Sequence, residues 1–105
     1  MSDRELLELA AKAAGIDLTE TEDGFEADFD DSRIWNPLTD DGDALRLLVS
    51  LYSKGVVLNA GGGGVCVDIG KHSADEWCPL EGSYDPYAAT RRAIVRAAAE
   101  IGKQA

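Results

Sequence analysis

The stretch AGGGGVCVDIG, Ala60 to Gly70, decides the fold. Four consecutive glycines, Gly61, Gly62, Gly63 and Gly64, stand directly before a β-rich run. A phosphate-binding loop of the G-x-x-x-x-G-K-[ST] type leads its glycines into a helix through a lysine and a hydroxyl. Here Gly64 leads into Val65, and Val65-Cys66-Val67-Asp68-Ile69 has the composition of a strand. A dinucleotide fingerprint also needs a helix after its glycines. Val56-Val57-Leu58 is strand-like on the other side. Glycines between two β-rich runs make a hairpin turn, because glycine reaches positive φ without steric cost. The fold therefore reads as antiparallel and not as a parallel nucleotide-binding sheet. Contact with a ligand through the bare backbone amides of Gly61–Gly64 remains the alternative use of the loop.

Working outward from this hairpin, Asp40-Asp41-Gly42-Asp43 precedes ALRLLVSLYSKG. Thr39 or Asp40 can cap a helix there, with aspartates at the positive end of its dipole. Leu45, Leu47, Leu48, Val49, Leu51 and Tyr52 make that helix apolar nearly all round, so it is central or lies under a partner. Gly55 ends it. Towards the N-terminus, Phe25, Ala27 and Phe29 alternate with Glu26 and Asp28. Ile16 and Leu18 alternate with Asp17 and Thr19, with Glu22-Asp23-Gly24 between as a turn. This predicts a first hairpin with one apolar and one acidic face. Ser2-Asp3-Arg4-Glu5 is a capping box for a helix over 3–14, with Leu6, Leu9, Ala10 and Ala13 as its stripe and Gly15 as its C-cap. Beyond the glycine hairpin, Trp77-Cys78-Pro79-Leu80 fits a short edge strand. Asp85-Pro86 starts an alanine-rich helix to Ile101, striped by Tyr87, Ile94, Ala98 and Ile101 and stopped by Gly102. The expected fold class is α+β. A single domain over 1–105 carries one antiparallel sheet of four to five strands and three helices, in the order α-β-β-α-β-β-(β)-α.

The formal net charge is −10, and all of it lies between Asp17 and Asp43, where 11 acids face one base, Arg33. Such a segment repels nucleic acid and anionic membrane and attracts a basic partner. The same charge also makes a solvated face that keeps the chain soluble. No run reaches the length of a membrane span. The start MSDRELLELAAKAAG lacks a signal peptide's apolar core, and two cysteines make no disulfide framework. These features predict a soluble protein of the cytoplasm.

The remaining constellations are sparse. Cys66, His72 and Cys78 stand six residues apart, with Asp75 nearby, but structural zinc sites begin with two cysteines two to four apart. No metal and no cofactor is expected. Cys66 and His72 also make a nominal nucleophile and base, with Asp68 or Asp75 to orient the histidine. The histidine is the chain's only one. Asp40 to Asp43 resembles the start of a calcium loop, but Leu51 stands where the twelfth-position glutamate belongs. Trp35, before Asn36-Pro37, is expected to fold back onto the core.

Three strings resemble a known family. IWNPLTDDGDALRLLV (Ile34–Val49), DPYAATRRAIVRAAAEIG (Asp85–Gly102) and the N-terminal LLELAAKAAGI look like the phage ABA sandwich domain proteins, small bacteriophage and prophage proteins. The resemblance implies an α/β sandwich and a phage origin, hence residence in the cytoplasm of a bacterial host. It brings no catalytic residues.

The functional expectation is a non-enzymatic, protein-binding accessory protein without direct nucleic-acid or membrane binding, monomeric or homodimeric. Its partner-binding candidates are Asp17, Glu20, Glu22, Asp23, Glu26, Asp28, Asp30 and Asp31. They present carboxylates to a basic nucleic-acid-handling complex of the host, such as a CRISPR–Cas defence system. The alternative is a nucleotide-binding protein using Gly61, Gly62, Gly63 and Gly64 with Arg91, Arg92 and Arg96.

Overall fold

A computed structural model describes residues 2–22, 24–27, 33–61, 64–69, 72–77 and 85–104. Helix α1 spans Asp3–Ala14. Ser2 caps it, accepting from the Glu5 amide at 3.2 Å, while its hydroxyl donates to the Glu5 carboxylate at 3.3 Å. The C-terminus closes on Gly15 at φ 72°. The Gly15 amide donates to the Lys12 carbonyl and the Ile16 amide to that of Ala11, a Schellman closure. The buried face is Leu6, Leu7, Ala10 and Ala11. It is rotated from the expected stripe, because Leu9 and Ala13 pack only at its margin.

Strands β1 (Leu18–Thr21) and β2 (Gly24–Ala27) pair antiparallel, Leu18 opposite Ala27. Gly24 sits at φ 127°, a turn conformation that favours glycine. Phe25 and Ala27 point into the core. A third strand, β3 (Arg33–Ile34), pairs with β2. No alternating pattern announces two residues. The pairing comes from the following bond, Trp35 amide to Phe25 carbonyl at 2.7 Å, which draws Trp35 to 2% exposure.

Helix α2 (Asp41–Ser50) is capped by Asp40, which accepts from the Asp43 amide at 2.8 Å. A short 3-10 turn over Tyr52–Lys54 follows, and Gly55 at φ 76° ends it. Strands β4 (Val56–Gly61), β5 (Gly64–Ile69) and β6 (His72–Trp77) form a second sheet. Gly61 pairs with Gly64 and Val56 with Ile69. The outer two glycines of the run thus belong to the ladder, and Gly62 and Gly63 lie outside the described residues. Val65 and Val67 face inward, and Cys66 and Asp68 face the other way.

Helix α3 (Pro86–Lys103) takes Asp85 as N-cap, its carboxylate accepting from Ala88 at 3.1 Å, with Pro86 at the first position. It packs on α1, α2, β5 and β6 and buries Ala93, Ile94, Val95, Ala97, Ala98 and Ala99.

The α+β class, the antiparallel pairing and three helices are observed. Further expectations are corrected. The strands form two separate three-stranded sheets, β1-β2-β3 and β4-β5-β6, not one of four to five strands. A strand covers His72–Trp77, which its sequence did not announce; HSADEW lacks an apolar alternation, and its pairing with β5 places it, while of the edge strand expected over 77–80 only Trp77 is described. Cys78, Pro79 and Leu80 lie outside the described residues. Tyr87 is no part of the buried stripe and is 69% exposed. Gly102 lies inside α3, which runs on to Lys103. A Cβ at Gly102 would lie 2.0 Å from the Leu9 carbonyl oxygen. The glycine is a contact between helices, not a terminator.

Candidate functional site

The first hairpin displays the acids that the structure describes. Asp17, Glu20 and Glu22 are exposed and Glu26 is half-buried. Glu20 accepts from Arg4 at 2.5 Å, tying β1 to the start of α1. Asp17, Glu22 and Glu26 have no ion pair among the described residues. Asp23, Asp28, Asp30 and Asp31 lie outside the described residues.

The acids at the start of α2 have structural work. Asp43 is 1% exposed. One oxygen accepts from the Asn36 amide at 3.0 Å and the other from Arg46 Nη2 at 2.8 Å. Asn36 in turn accepts the Leu38 amide on its side chain at 3.0 Å. A buried carboxylate needs such partners, and this one pins the Trp35-Asn36-Pro37 corner to α2. The calcium-like string is therefore a cap and a clamp.

Two of the arginines proposed as ligand arms are engaged within the chain. Arg91 donates to the Leu38 carbonyl at 2.9 Å and to Asp41 at 2.5 Å, joining α3 to the start of α2. Arg92 bonds Asp3 at 3.2 Å, joining α3 to the start of α1. Arg96 is half-buried on the same helix.

Cys66 donates its thiol to Asp68 Oδ1 at 3.3 Å, and Asn59 meets the other Asp68 oxygen at 3.4 Å. Asp75 pairs directly opposite Cys66, whereas His72 pairs with Ile69. The His72 position is thus three residues along the ladder from Cys66, roughly 10 Å at the usual rise. The thiol's partner is a carboxylate, and the ladder does not bring the supposed base beside it. Among the described residues, no cluster of three or more histidine, cysteine or acidic side chains could hold a metal. No described helix is long and apolar enough to cross a membrane.

A feature not placed by sequence reasoning lies on α2. Its inner face, Ala44 and Leu47, is buried, as is Leu51 just beyond its end, while Leu45 (59%) and Val49 (48%) on its outer face and Tyr52 (60%) in the following 3-10 turn stand in solvent. The signal was present in the helix's all-round apolarity, which left a two-sided core and a partner as open choices. Beside this face, the starts of α2 and α3 and strand β4 enclose a groove of about 670 Å³. No family model, no curated protein and no solved structure matches the chain.

Proposed function

We propose that the chain is a non-enzymatic protein-binding module that engages a positively charged protein partner. The observation that carries this reading is the uncompensated charge of the first hairpin. Asp17, Glu22 and Glu26 stand there without counter-ions among the described residues, within the segment that holds the whole net charge of −10. A face of this sign concentrates basic partners and repels nucleic acid. The carboxylates stand in for phosphates and occupy a basic channel of a host nucleic-acid-handling complex. Together with the resemblance to phage ABA sandwich domain proteins, this makes the chain a phage accessory protein. It acts in the cytoplasm of a bacterial host and inhibits a defence system such as CRISPR–Cas. Catalysis has no support from the Cys66 surroundings described above.

The test is capture by the tagged chain from lysate of a bacterial host, washed at low and then high salt. It is run beside the variant Asp17→Lys/Glu22→Lys/Glu26→Lys. A stoichiometric basic partner, released by salt and lost from the variant, is the expected result. Equal retention by the variant, or no partner at all, refutes the reading.

A further inference from the structure

The two three-stranded sheets have four edges, and three of them are guarded. β1 carries Glu20 and is flanked by Asp17 and Glu22, β3 is two residues long, and β6 contains Asp75 and Glu76. Charge and shortness are the usual means of keeping a free edge from pairing with a stranger. β4 has neither. Val56-Val57-Leu58-Asn59-Ala60-Gly61 holds no charge and no proline, and it pairs with β5 residue for residue without a bulge. Among the described residues its backbone makes no hydrogen bond outside the β5 ladder. Helix α3 packs chiefly on β5 and β6, so β4 stands at the margin of the helical layer. Val57 is 53% exposed, and Asn59 is exposed beside it. In an antiparallel ladder, alternate residues turn their amide and carbonyl away from the partner strand. The free side of β4 is therefore a row of backbone donors and acceptors, which another extended strand satisfies as a set.

Charge and symmetry identify that strand. The net charge of −10 belongs to residues 17–43, whereas residues 51–105 carry six acids and six bases. Two copies that meet at β4 meet through their neutral halves. Residues directly opposite in an antiparallel pair share a face. Val56 and Leu58 pack toward the core, and Val57 and Asn59 face outward. A two-fold axis at Leu58 sets Leu58 opposite Leu58 of the second copy, Val56 opposite its Ala60 and Val57 opposite its Asn59. The inner pairs are then all apolar, and no pair is charged. An axis at Asn59 would instead set the two Asn59 amides, each held by Asp68, against one another. The contact about Leu58 is isologous: it consumes the unguarded edge of each copy and leaves only guarded ones, so it closes at two.

We propose that the chain forms a two-fold dimer by antiparallel pairing of β4 with β4 of a second copy, which joins two three-stranded sheets into one of six strands. The proposal uses no residue of the acidic hairpin, and salt separates it from the reading above. Salt releases a basic partner from the hairpin, but it screens the charge of −10 on each copy and so tightens the dimer. Sedimentation equilibrium over a concentration series, at roughly 0.05 and 0.5 M NaCl, reads the assembly. The expected result is a monomer–dimer equilibrium that shifts to dimer at the higher salt, with hydrogen exchange of β4 amides slowing as concentration rises. Val57→Lys/Asn59→Lys sets lysine opposite lysine twice across the axis. Within its own chain residue 57 lies opposite Asp68, so the fold tolerates the change. Association should weaken roughly tenfold or more, although the variant lowers the net charge of each copy. Val57→Lys/Asn59→Asp sets opposite charges across the same pairs and should recover the association at unchanged circular dichroism. The hairpin variant Asp17→Lys/Glu22→Lys/Glu26→Lys should dimerise at least as well as the parent. A monomer at every concentration, a dimer untouched by the double-lysine variant, or no recovery in a folded Val57→Lys/Asn59→Asp protein overturns the proposal. A dimer that the hairpin variant dissociates also overturns it.

Discussion

Gly102→Ala separates two physical accounts of the same residue. If the glycine merely ended α3, alanine would be welcome, since a helix gains up to about 1 kcal/mol when glycine becomes alanine. In the structure the new Cβ would meet Leu9 O at 2.0 Å, Leu9 C at 2.8 Å and Leu9 Cα at 3.2 Å. All three are backbone atoms, so no side-chain rotation relieves the contact. Reaching ordinary contact near 3.4 Å requires α1 and α3 to part locally by about 1.4 Å. That loosens the seam where Leu6, Ala10 and Ala11 of α1 meet the alanine-rich face of α3. Overpacking of this kind costs about 1–3 kcal/mol and sometimes more.

The propensity gain is small in the last turn, so the net loss is about 2 kcal/mol, roughly 10 °C in midpoint for a domain of this size. Thermal and urea melts followed by circular dichroism read it. Gly42→Ala is the matched control. Its Cβ meets only side-chain ends, Arg46 at 3.1 and 3.2 Å and Asp40 at 3.2 Å, which can give way. It should lie within about 0.5 kcal/mol of the parent. A Gly102→Ala protein as stable as the parent, or two variants that behave alike, refutes the close-approach argument.

Two further predictions concern charge. Asp43→Ala leaves the Asn36 amide without its buried acceptor and should cost about 2–3 kcal/mol. Asp43→Asn should cost less, since its carbonyl can still accept that amide; equal losses in urea melts would deny the bond its role. Raising NaCl to roughly 0.5 M, where the screening length is about 4 Å, should raise the thermal midpoint. Self-repulsion within 17–43 is screened, while exposed pairs such as Arg4–Glu8 contribute little. A falling midpoint would mean that those pairs outweigh the repulsion.

Local signals were legible in the sequence where one residue type has one physical role. Ser2, Asp40 and Asp85 cap their helices, and Gly15 closes α1 at positive φ; Gly55, expected to end the second helix, ends instead the 3-10 turn after it, since α2 stops at Ser50. The strands flanking the glycine run pair antiparallel, Gly61 opposite Gly64, as those flanks required. Features set by tertiary partners were not legible. β3 exists because Trp35 bonds back to β2, and β6 because β5 offers an edge. Gly102 looked like a stop because small size serves both a C-cap and a close approach, and only the position of Leu9 distinguishes them. The hairpin acids were readable as charge. The groove was not, since it is assembled from α2, β4 and α3, which are distant in sequence.

The distribution of side-chain size carries an argument about packing. The seam between α1 and α3 is rich in alanine and holds one glycine beside Leu6, while Leu45, Val49, Tyr52 and Tyr87 stand outside. A core made for stability alone would reverse this, because a buried leucine contributes about 1.5–3 kcal/mol that an exposed one does not. Here the described fold leaves these large apolar side chains in solvent. The consequence is measurable in one protein. Leu45→Gln/Tyr87→Gln should leave the thermal midpoint within a few degrees, because neither side chain is buried in the free chain. Gly102→Ala should do the reverse and lower the midpoint. If the glutamine variant melts as far below the parent as Gly102→Ala does, those side chains belong to the core and not to the surface.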